Sequence, residues 1–183
     1  MTGNILAVSV GRPRAVQYRG REVTTGIFKE PVAGRRRITQ LRVEGDVQCD
    51  PRYHGGFDKA VYVLPSEHYA YWTGVLKREL PWGSFGENLT TQGILEDDVR
   101  VGDVFRAGTA ELVVTSPRTP CYKLNVRFNR PDMTRRLWAF GRTGFYCSVA
   151  KEGDVQAGDH FARIRTADGP AICDVFSSVR ASR

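Results

Sequence analysis

The chain has 183 residues, of which 41% are hydrophobic, and a formal net charge of +7 at pH 7. This length suits one domain with a hydrophobic core, and the composition excludes an intrinsically disordered chain. No apolar run approaches the ~20 residues that cross a bilayer, and the N-terminus lacks the basic segment and apolar core of a signal peptide. We therefore expect a soluble, cytoplasmic protein with reduced thiols.

Short apolar segments bounded by glycine and proline predict a series of β-strands. The predicted strands are residues 5–10, 22–28, 37–43, 60–64, 111–115, 144–149 and 160–164. Helical spacing predicts short helices that begin near Ser66, near Tyr122 and near Asp132. Two segments with the pattern Val-x-x-Gly-Asp-x-Phe, at 99–105 and 155–161, predict equivalent tight turns that lead into strands.

These elements favour a mainly β fold, a closed or mixed β-barrel with two or three short peripheral helices. We assign the barrel domain to residues 1–165 and a C-terminal tail to residues 166–183. Within this tail the apolar stretch Ala171–Phe176 is interpreted as a last strand, after which the chain frays.

The segment His54-Gly55-Gly56 is the first candidate for ligand binding, and Asp58 and Lys59 follow it. Glycine allows a ligand to approach the backbone closely, and a charged pair at the mouth of a strand suits an anion or a cofactor. A plain hairpin turn with surface charges explains the same residues. Further along, Asn88 is placed either to hydrogen-bond the edge of a heterocycle or to cap a turn.

Cys121 is the strongest chemical candidate among the four cysteines, which contain no CxxC pair and so predict neither a zinc cage nor a disulfide framework. Pro117 and Pro120 are expected to hold its turn rigid and out of register with any sheet. A nearby helix start and the cations Arg118 and Lys123 favour a thiolate, which attacks electrophiles or binds a soft metal. A small, inert core cysteine remains the alternative.

Five segments in order resemble the MOSC domain, the module named for the C-terminus of molybdenum cofactor sulfurase, and in particular its stand-alone YiiM-like bacterial branch. The segments are VEGD at 43–46, HGGFDKAVY at 54–62, FGENLTT at 85–91, VGDVFR at 101–106 and SPRTPCYKL at 116–124. The resemblance implies a β-barrel that holds a molybdenum cofactor (molybdopterin), with Cys121 as the metal ligand. It also implies metal-ion binding in general and pyridoxal phosphate binding as family properties.

The resemblance further implies a reductase of N-hydroxylated compounds, such as hydroxylamines and hydroxylaminopurines, with electrons from a separate redox protein. On this interpretation Lys59, Arg118 and Lys123 neutralise phosphate, while Asn88 and the backbone at Gly55 and Gly56 meet the pterin ring or phosphate. His54 is a candidate proton donor to the leaving oxygen.

Three alternatives stay open at this point. One is sulfur transfer with a persulfide on Cys121, and another is a non-catalytic carrier of the molybdenum cofactor. The third, nucleic-acid binding through the basic run Arg35–Arg37, ranks last because basic and aromatic residues are not interleaved there.

Overall fold

The computed structural model describes residues 1–49 and 55–182. Its strands are β1 (Thr2–Val10), β2 (Arg14–Tyr18), β3 (Arg21–Thr25), β4 (Glu30–Pro31), β5 (Arg36–Thr39), β6 (Arg42–Val43), β7 (Val61–Pro65), β8 (Leu89–Gln92), β9 (Val104–Ala107), β10 (Ala110–Pro117), β11 (Phe145–Lys151), β12 (Gly153–Val155) and β13 (His160–Arg165). Its α-helices are α1 (Glu67–Leu76), α2 (Lys123–Phe128), α3 (Met133–Phe140) and α4 (Ile172–Ala181). Within these ranges no helix is long and apolar enough to cross a membrane.

Seven strands form a closed, mixed β-barrel in the order β1-β8-β7-β11-β10-β9-β13, and β13 pairs back onto β1. The β7–β8 pair is parallel, and the other neighbours in the barrel are antiparallel. Strand β4 extends the sheet beside β1, while β2 and β3 form a separate hairpin and β5, β6 and β12 a small three-stranded sheet. The prediction of a mainly β barrel with short peripheral helices is confirmed.

Alternation along each strand gives the barrel wall two apolar faces. Val61 and Val63 of β7 belong to the cluster that fills the barrel interior, together with Cys147 of β11. Tyr62 and Leu64 belong to a second cluster, to which α1, α2 and α3 contribute. Because successive side chains of a strand point to opposite faces, this second cluster lies on the outside of the barrel wall.

The two Val-x-x-Gly-Asp-x-Phe segments adopt the equivalent turns that the sequence predicts. Gly102 and Gly158 both have φ of +91°, a conformation that favours glycine. The carboxylates Oδ2 of Asp103 and Asp159 each accept a hydrogen bond at 3.0 Å from the backbone N–H three residues earlier. The aspartates therefore stabilise the turns.

The prediction of a last strand over Ala171–Phe176 is wrong, because α4 occupies this stretch. Ala171 makes only an isolated β-bridge, to Arg100. Ile172 and Phe176 are four residues apart and both buried, and Phe176 stacks on Trp138 with ring centroids 5.1 Å apart. In a helix this spacing buries one face and leaves Asp174 exposed, whereas a strand would place Asp174 on the same buried face as Ile172 and Phe176.

The expectation that Pro117 lies out of register with any sheet is also wrong. Strand β10 continues through Pro117, which pairs with Phe145 of β11 after a bulge between Val114 and Ser116. On its other side β9 pairs only with Ala110–Val113, so the end of β10 has a single neighbouring strand. A proline is tolerated at such an edge position because a missing N–H breaks no pairing there.

Candidate functional site

A pocket lies against the outer face of β7 and β11, where Tyr62 and Tyr146 form part of its wall. Loops at residues 25–29, 46–49 and 85–88 and the turn at 118–123 complete it. Its volume is about 80 Å³. Its charged and thiol-bearing lining consists of Lys29, Asp46, Cys49, Lys59, Arg118, Cys121 and Lys123. Four of the residues predicted from the sequence as metal or phosphate ligands therefore share one pocket.

Cys121 lies two residues before α2 and is partly exposed. Its carbonyl oxygen accepts hydrogen bonds from Thr134 Oγ1 at 2.9 Å and from the Leu124 N–H at 3.1 Å. The indole N–H of Trp138 donates to the neighbouring Pro120 carbonyl at 3.2 Å. These bonds fix the backbone of the turn from α2 and α3 while the thiol lines the pocket.

Arg118 is the most unusual polar residue of the pocket, since only 4% of it is exposed. Its Nε and Nη1 atoms are buried and have no hydrogen-bond partner among the residues that the structure describes. Its guanidinium lies 5.7 Å from the centroid of the Tyr62 ring. A buried charge without a partner is costly, so this arginine suits a pocket that takes an anionic ligand.

Lys59 and Lys123 add positive charge around Arg118. The Lys59 ammonium lies 5.8 Å from the centroid of the Tyr146 ring, and Lys123 is buried in the first turn of α2. Burial raises the pKa of the Tyr146 phenol although Arg118 opposes this effect. The tyrosine therefore stays neutral, and the pocket is electropositive.

Asn88 lies in the pocket wall, but its amide is used by the protein. Its Nδ2 donates to Asp46 Oδ2 at 2.9 Å and to the Ser9 carbonyl at 3.3 Å, and its Oδ1 accepts from the Tyr62 N–H at 3.1 Å. A contact from Nδ2 to a ligand would break one of these bonds. Asn88 therefore ties the loop before β8 to β1, β7 and the Asp46 loop.

The other predicted contacts lie away from this arrangement. Gly55 and Gly56 are outside the pocket lining found in the described part of the chain. The N–H of Gly56 donates to Gln48 Oε1 at 3.3 Å, and its φ of +82° explains the glycine. His54 lies outside the described residues.

Three of the charged and thiol-bearing pocket residues were not identified as site residues from the sequence, namely Lys29, Asp46 and Cys49. Asp46 follows Glu44-Gly45, which is typical of a turn, and Lys29 lies in a loop with no motif of its own. Their contact joins two loops 17 residues apart. A local sequence pattern cannot predict such a contact, because the contact forms only when the two loops fold against each other. Only the burial of Lys29, a residue type that is usually exposed, could have pointed to it.

The comparison with protein families decides what kind of domain this is. The MOSC domain model matches residues 50–162, which is more than half of the chain. This chain belongs to the MOSC domain family. The barrel extends beyond the matched region, because β1 near the N-terminus closes it.

Curated relatives of this MOSC domain protein include three from different organisms. The uncharacterized protein YflK of Bacillus subtilis is 42% identical over 155 residues, which are 85% of this chain and 70% of that protein. Protein YiiM of Escherichia coli is 39% identical over 163 residues, 85% of this chain and 66% of that protein. A protein named reductase from Gibberella moniliformis is 34% identical over 161 residues, 86% of this chain but only 28% of that protein.

Solved structures agree with this family assignment. The crystal structure of YiiM from Geobacillus stearothermophilus matches with a TM-score of 0.82 and 33% identity, covering 98% of this chain and 85% of that one. YiiM from Escherichia coli matches with a TM-score of 0.74 and 29% identity, covering 97% of this chain and 76% of that one. The MOSC barrel described above is therefore shared with YiiM proteins.

Proposed function

We propose that this MOSC domain protein is a molybdenum-cofactor-dependent reductase of N-hydroxylated compounds such as hydroxylamines and hydroxylaminopurines. Cys121 ligates the metal, and a separate redox protein supplies the electrons. One observation carries the proposal: a partly exposed cysteine lines the same pocket as a buried arginine, two nitrogens of which have no hydrogen-bond partner in residues 1–49 and 55–182. A soft metal with an anionic organic ligand satisfies both groups at once.

The residues of the pocket fit such a cofactor. Cys121 is the soft ligand, while Arg118, Lys123 and Lys59 are placed to hold its anionic part. Pockets that enclose a whole small molecule measure roughly 300–1,000 Å³, and this one measures about 80 Å³. The pocket would therefore take the metal end or the anionic end of the cofactor and is too small to enclose all of it.

When bound, the cofactor supplies the two electrons that break the N–O bond. The overall reaction is R–NHOH + 2e⁻ + 2H⁺ → R–NH₂ + H₂O. The chain itself positions the cofactor, neutralises its charge and delivers protons. A relative named reductase supports the oxidoreductase class.

The direct test is purification from a host that synthesises the molybdenum cofactor, followed by elemental analysis and an assay with a reduced viologen dye. We expect about one molybdenum per chain and conversion of an N-hydroxy compound to its amine. Protein from a host strain that cannot make the cofactor is the control, and it should be inactive.

Other outcomes of the same test point to other functions. Cyanide-labile sulfur on Cys121 without molybdenum would support sulfur transfer, and molybdenum without turnover would support a cofactor carrier. A visible Schiff-base absorbance in place of molybdenum would support pyridoxal phosphate. Each of these three results would contradict the reductase proposal.

A further inference from the structure

Lys29 is a buried lysine in the wall of the Cys121 pocket. It lies in the loop between β3 and β4, only 9% of it is exposed, and it lines the same pocket as Cys121 and Arg118. Lysine is among the residues least often buried, because removing its charge from water is costly. Such a lysine therefore needs a partner and a reason to be there.

Asp46 is that partner, and the protein holds it firmly. Lys29 Nζ lies 2.5 Å from Asp46 Oδ2. Asp46 also accepts from the Gly11 N–H at 2.8 Å and from Asn88 Nδ2 at 2.9 Å. Residues from four parts of the chain, around Gly11, Lys29, Asp46 and Asn88, therefore meet here and hold the lysine side chain in position.

The lysine ammonium has more donors than this contact uses. An ammonium group carries three N–H donors, and within the described ranges Asp46 is the one hydrogen-bond partner of Lys29 Nζ. Because the side chain lines the pocket, its other donors can reach a ligand there. Asp46 therefore fixes the amine without using all of its donors.

Burial lowers the pKa of Lys29, although the carboxylates of Asp46 and Glu87 oppose this effect. A lysine with a lowered pKa gives up its proton more readily than an ordinary lysine does. Arg118 cannot do so, because guanidinium stays protonated in proteins. The other titratable groups that share the pocket are Cys49, Lys59, Tyr62, Cys121, Lys123 and Tyr146.

We propose that Lys29, positioned by Asp46, is the proton donor to the leaving oxygen in the reduction of the N-hydroxy substrate. This inference rests on the proposed function. The N–O bond breaks, the substrate nitrogen is reduced by the two electrons of the cofactor, and the Lys29 ammonium gives its proton to the oxygen, which leaves as water. The second proton reaches the nitrogen from solvent, and solvent then reprotonates the Lys29 amine.

Variants of Lys29 test the inference in the cofactor-loaded protein. Lys29→Gln should keep the molybdenum content of the wild type but lose about 100-fold in kcat, the usual scale of general acid catalysis. Lys29→Arg keeps the charge but cannot donate, so it should lose a similar factor. Lys77→Gln, at an exposed lysine just after α1, should match the wild type.

The pH profile separates proton donation from a merely structural role. Protonated Lys29 is the active form, so wild-type kcat should fall as pH rises through its pKa, and this limb should be absent in Lys29→Gln. Asp46→Asn removes a carboxylate that raises the pKa of Lys29, so the limb should move to lower pH. Wild-type rates in Lys29→Arg, or a loss confined to His54→Gln, would overturn the inference.

A titration of the cofactor-free protein gives a readout independent of turnover. With ¹³C-labelled lysine, the Lys29 side-chain resonance, assigned by its loss in Lys29→Gln, should titrate below the ordinary lysine pKa of 10.5. Titration at or above that value would overturn the inference. If the wild type binds molybdenum and reduces the substrate, and Lys29→Gln is equally active, this inference alone is rejected. If the wild type itself contains no molybdenum or shows no turnover, the proposed function is rejected as well.

Discussion

Cys121 and Cys147 show how differently one residue type behaves on the two sides of the same barrel wall. Cys147 of β11 points into the packed interior, where it is fully buried among apolar side chains. Burial alone raises the pKa of its thiol well above the ordinary value. Cys121 is partly exposed in the outer pocket, beside the buried cation Arg118.

The accessible thiol of this pair therefore lies on the outside of the barrel wall, where a ligand can reach it. The interior is filled by side chains such as Phe105, Phe145 and Phe161, so it stabilises the fold. The outer pocket holds Arg118, a buried cation with two nitrogens that have no hydrogen-bond partner among the described residues, and such a charge is a cost to stability. Four predictions test this contrast between the barrel interior and the outer pocket, ordered by the size of the effect.

Alkylation of native protein should separate the two thiols most strongly. Cys121 should react with iodoacetamide in the cofactor-free protein, whereas Cys147 can react only after the barrel opens. With a stability of at least about 5 kcal/mol, opening slows the reaction of Cys147 by about 1,000-fold or more. Peptide mass spectrometry over time measures both rates; equal rates would contradict the assigned environments.

Arg118→Met should weaken retention of the cofactor without weakening the fold. Hydrogen bonds to charged groups contribute about 1.5–3 kcal/mol, so we expect about 10- to 100-fold weaker binding. Because two nitrogens of the arginine have no hydrogen-bond partner in the described part of the chain, thermal stability of the cofactor-free protein should be unchanged or higher. Molybdenum content after dialysis and thermal unfolding measure the two effects.

Arg163→Met is the matched control for Arg118. Its guanidinium pairs with the buried Asp103 at 3.1 Å and donates to the Asp98 carbonyl at 2.7 Å. Removal leaves a buried carboxylate without its cation, so stability should fall while molybdenum content per folded chain stays the same. The opposite pattern in the two variants would contradict the division between pocket and scaffold.

Cys147→Ser should destabilise the barrel and leave the pocket unaffected. A hydroxyl group without a partner in an apolar core costs about 1–3 kcal/mol in proteins. Urea unfolding measures the loss, with Cys173→Ser in the partly exposed α4 as the control. A loss of molybdenum from the folded Cys147→Ser protein would be evidence against the assignment.

Glu96 provides a buried charge that, unlike Arg118, is fully partnered. His68 Nε2 lies 2.9 Å from its Oε2, and the Gly144 N–H donates to its Oε1 at 2.7 Å. Burial raises the pKa of Glu96, but His68 and Gly144 outweigh it, and the pKa is lowered from its ordinary value of 4.5.

The sign of the pH effect follows from that direction. Because the folded pKa lies below the unfolded one, the contribution to stability is present above pH 4.5 and is lost as pH falls through the folded pKa. Glu96→Gln should therefore cost about 1–3 kcal/mol at pH 7, and its Tm should fall less steeply below pH 4.5 than that of the wild type. Parallel Tm curves would show that the pair does not contribute.

Local patterns predicted most of this molecule. The Gly-Asp turns follow from residues within one turn, and the barrel follows from short strands at regular spacing. Cys121, Arg118 and Lys123 were identified because they are neighbours in one motif. Their common pocket with Lys59 required the fold, since Lys59 comes from a different part of the chain.

The misses have a common physical cause. Apolar content alone predicts a strand in the tail. Ile172 and Phe176 nevertheless have helical spacing and pack against elements far away in sequence. Lys29 and Asp46 pair across loops, and the burial of Arg118 is set by tertiary packing. Sequence patterns report neighbours along the chain and are silent on such distant contacts.

Molybdenum content of two cysteine variants tests whether Cys121 is the metal ligand. Cys121→Ala and Cys147→Ala should be purified from a cofactor-producing host beside the wild type and analysed for molybdenum per folded chain. We expect Cys121→Ala to lose at least about nine-tenths of the metal, in line with a tenfold loss per 1.4 kcal/mol of binding free energy, and Cys147→Ala to keep it. Equal molybdenum content in the two variants would show that Cys121 is not the ligand.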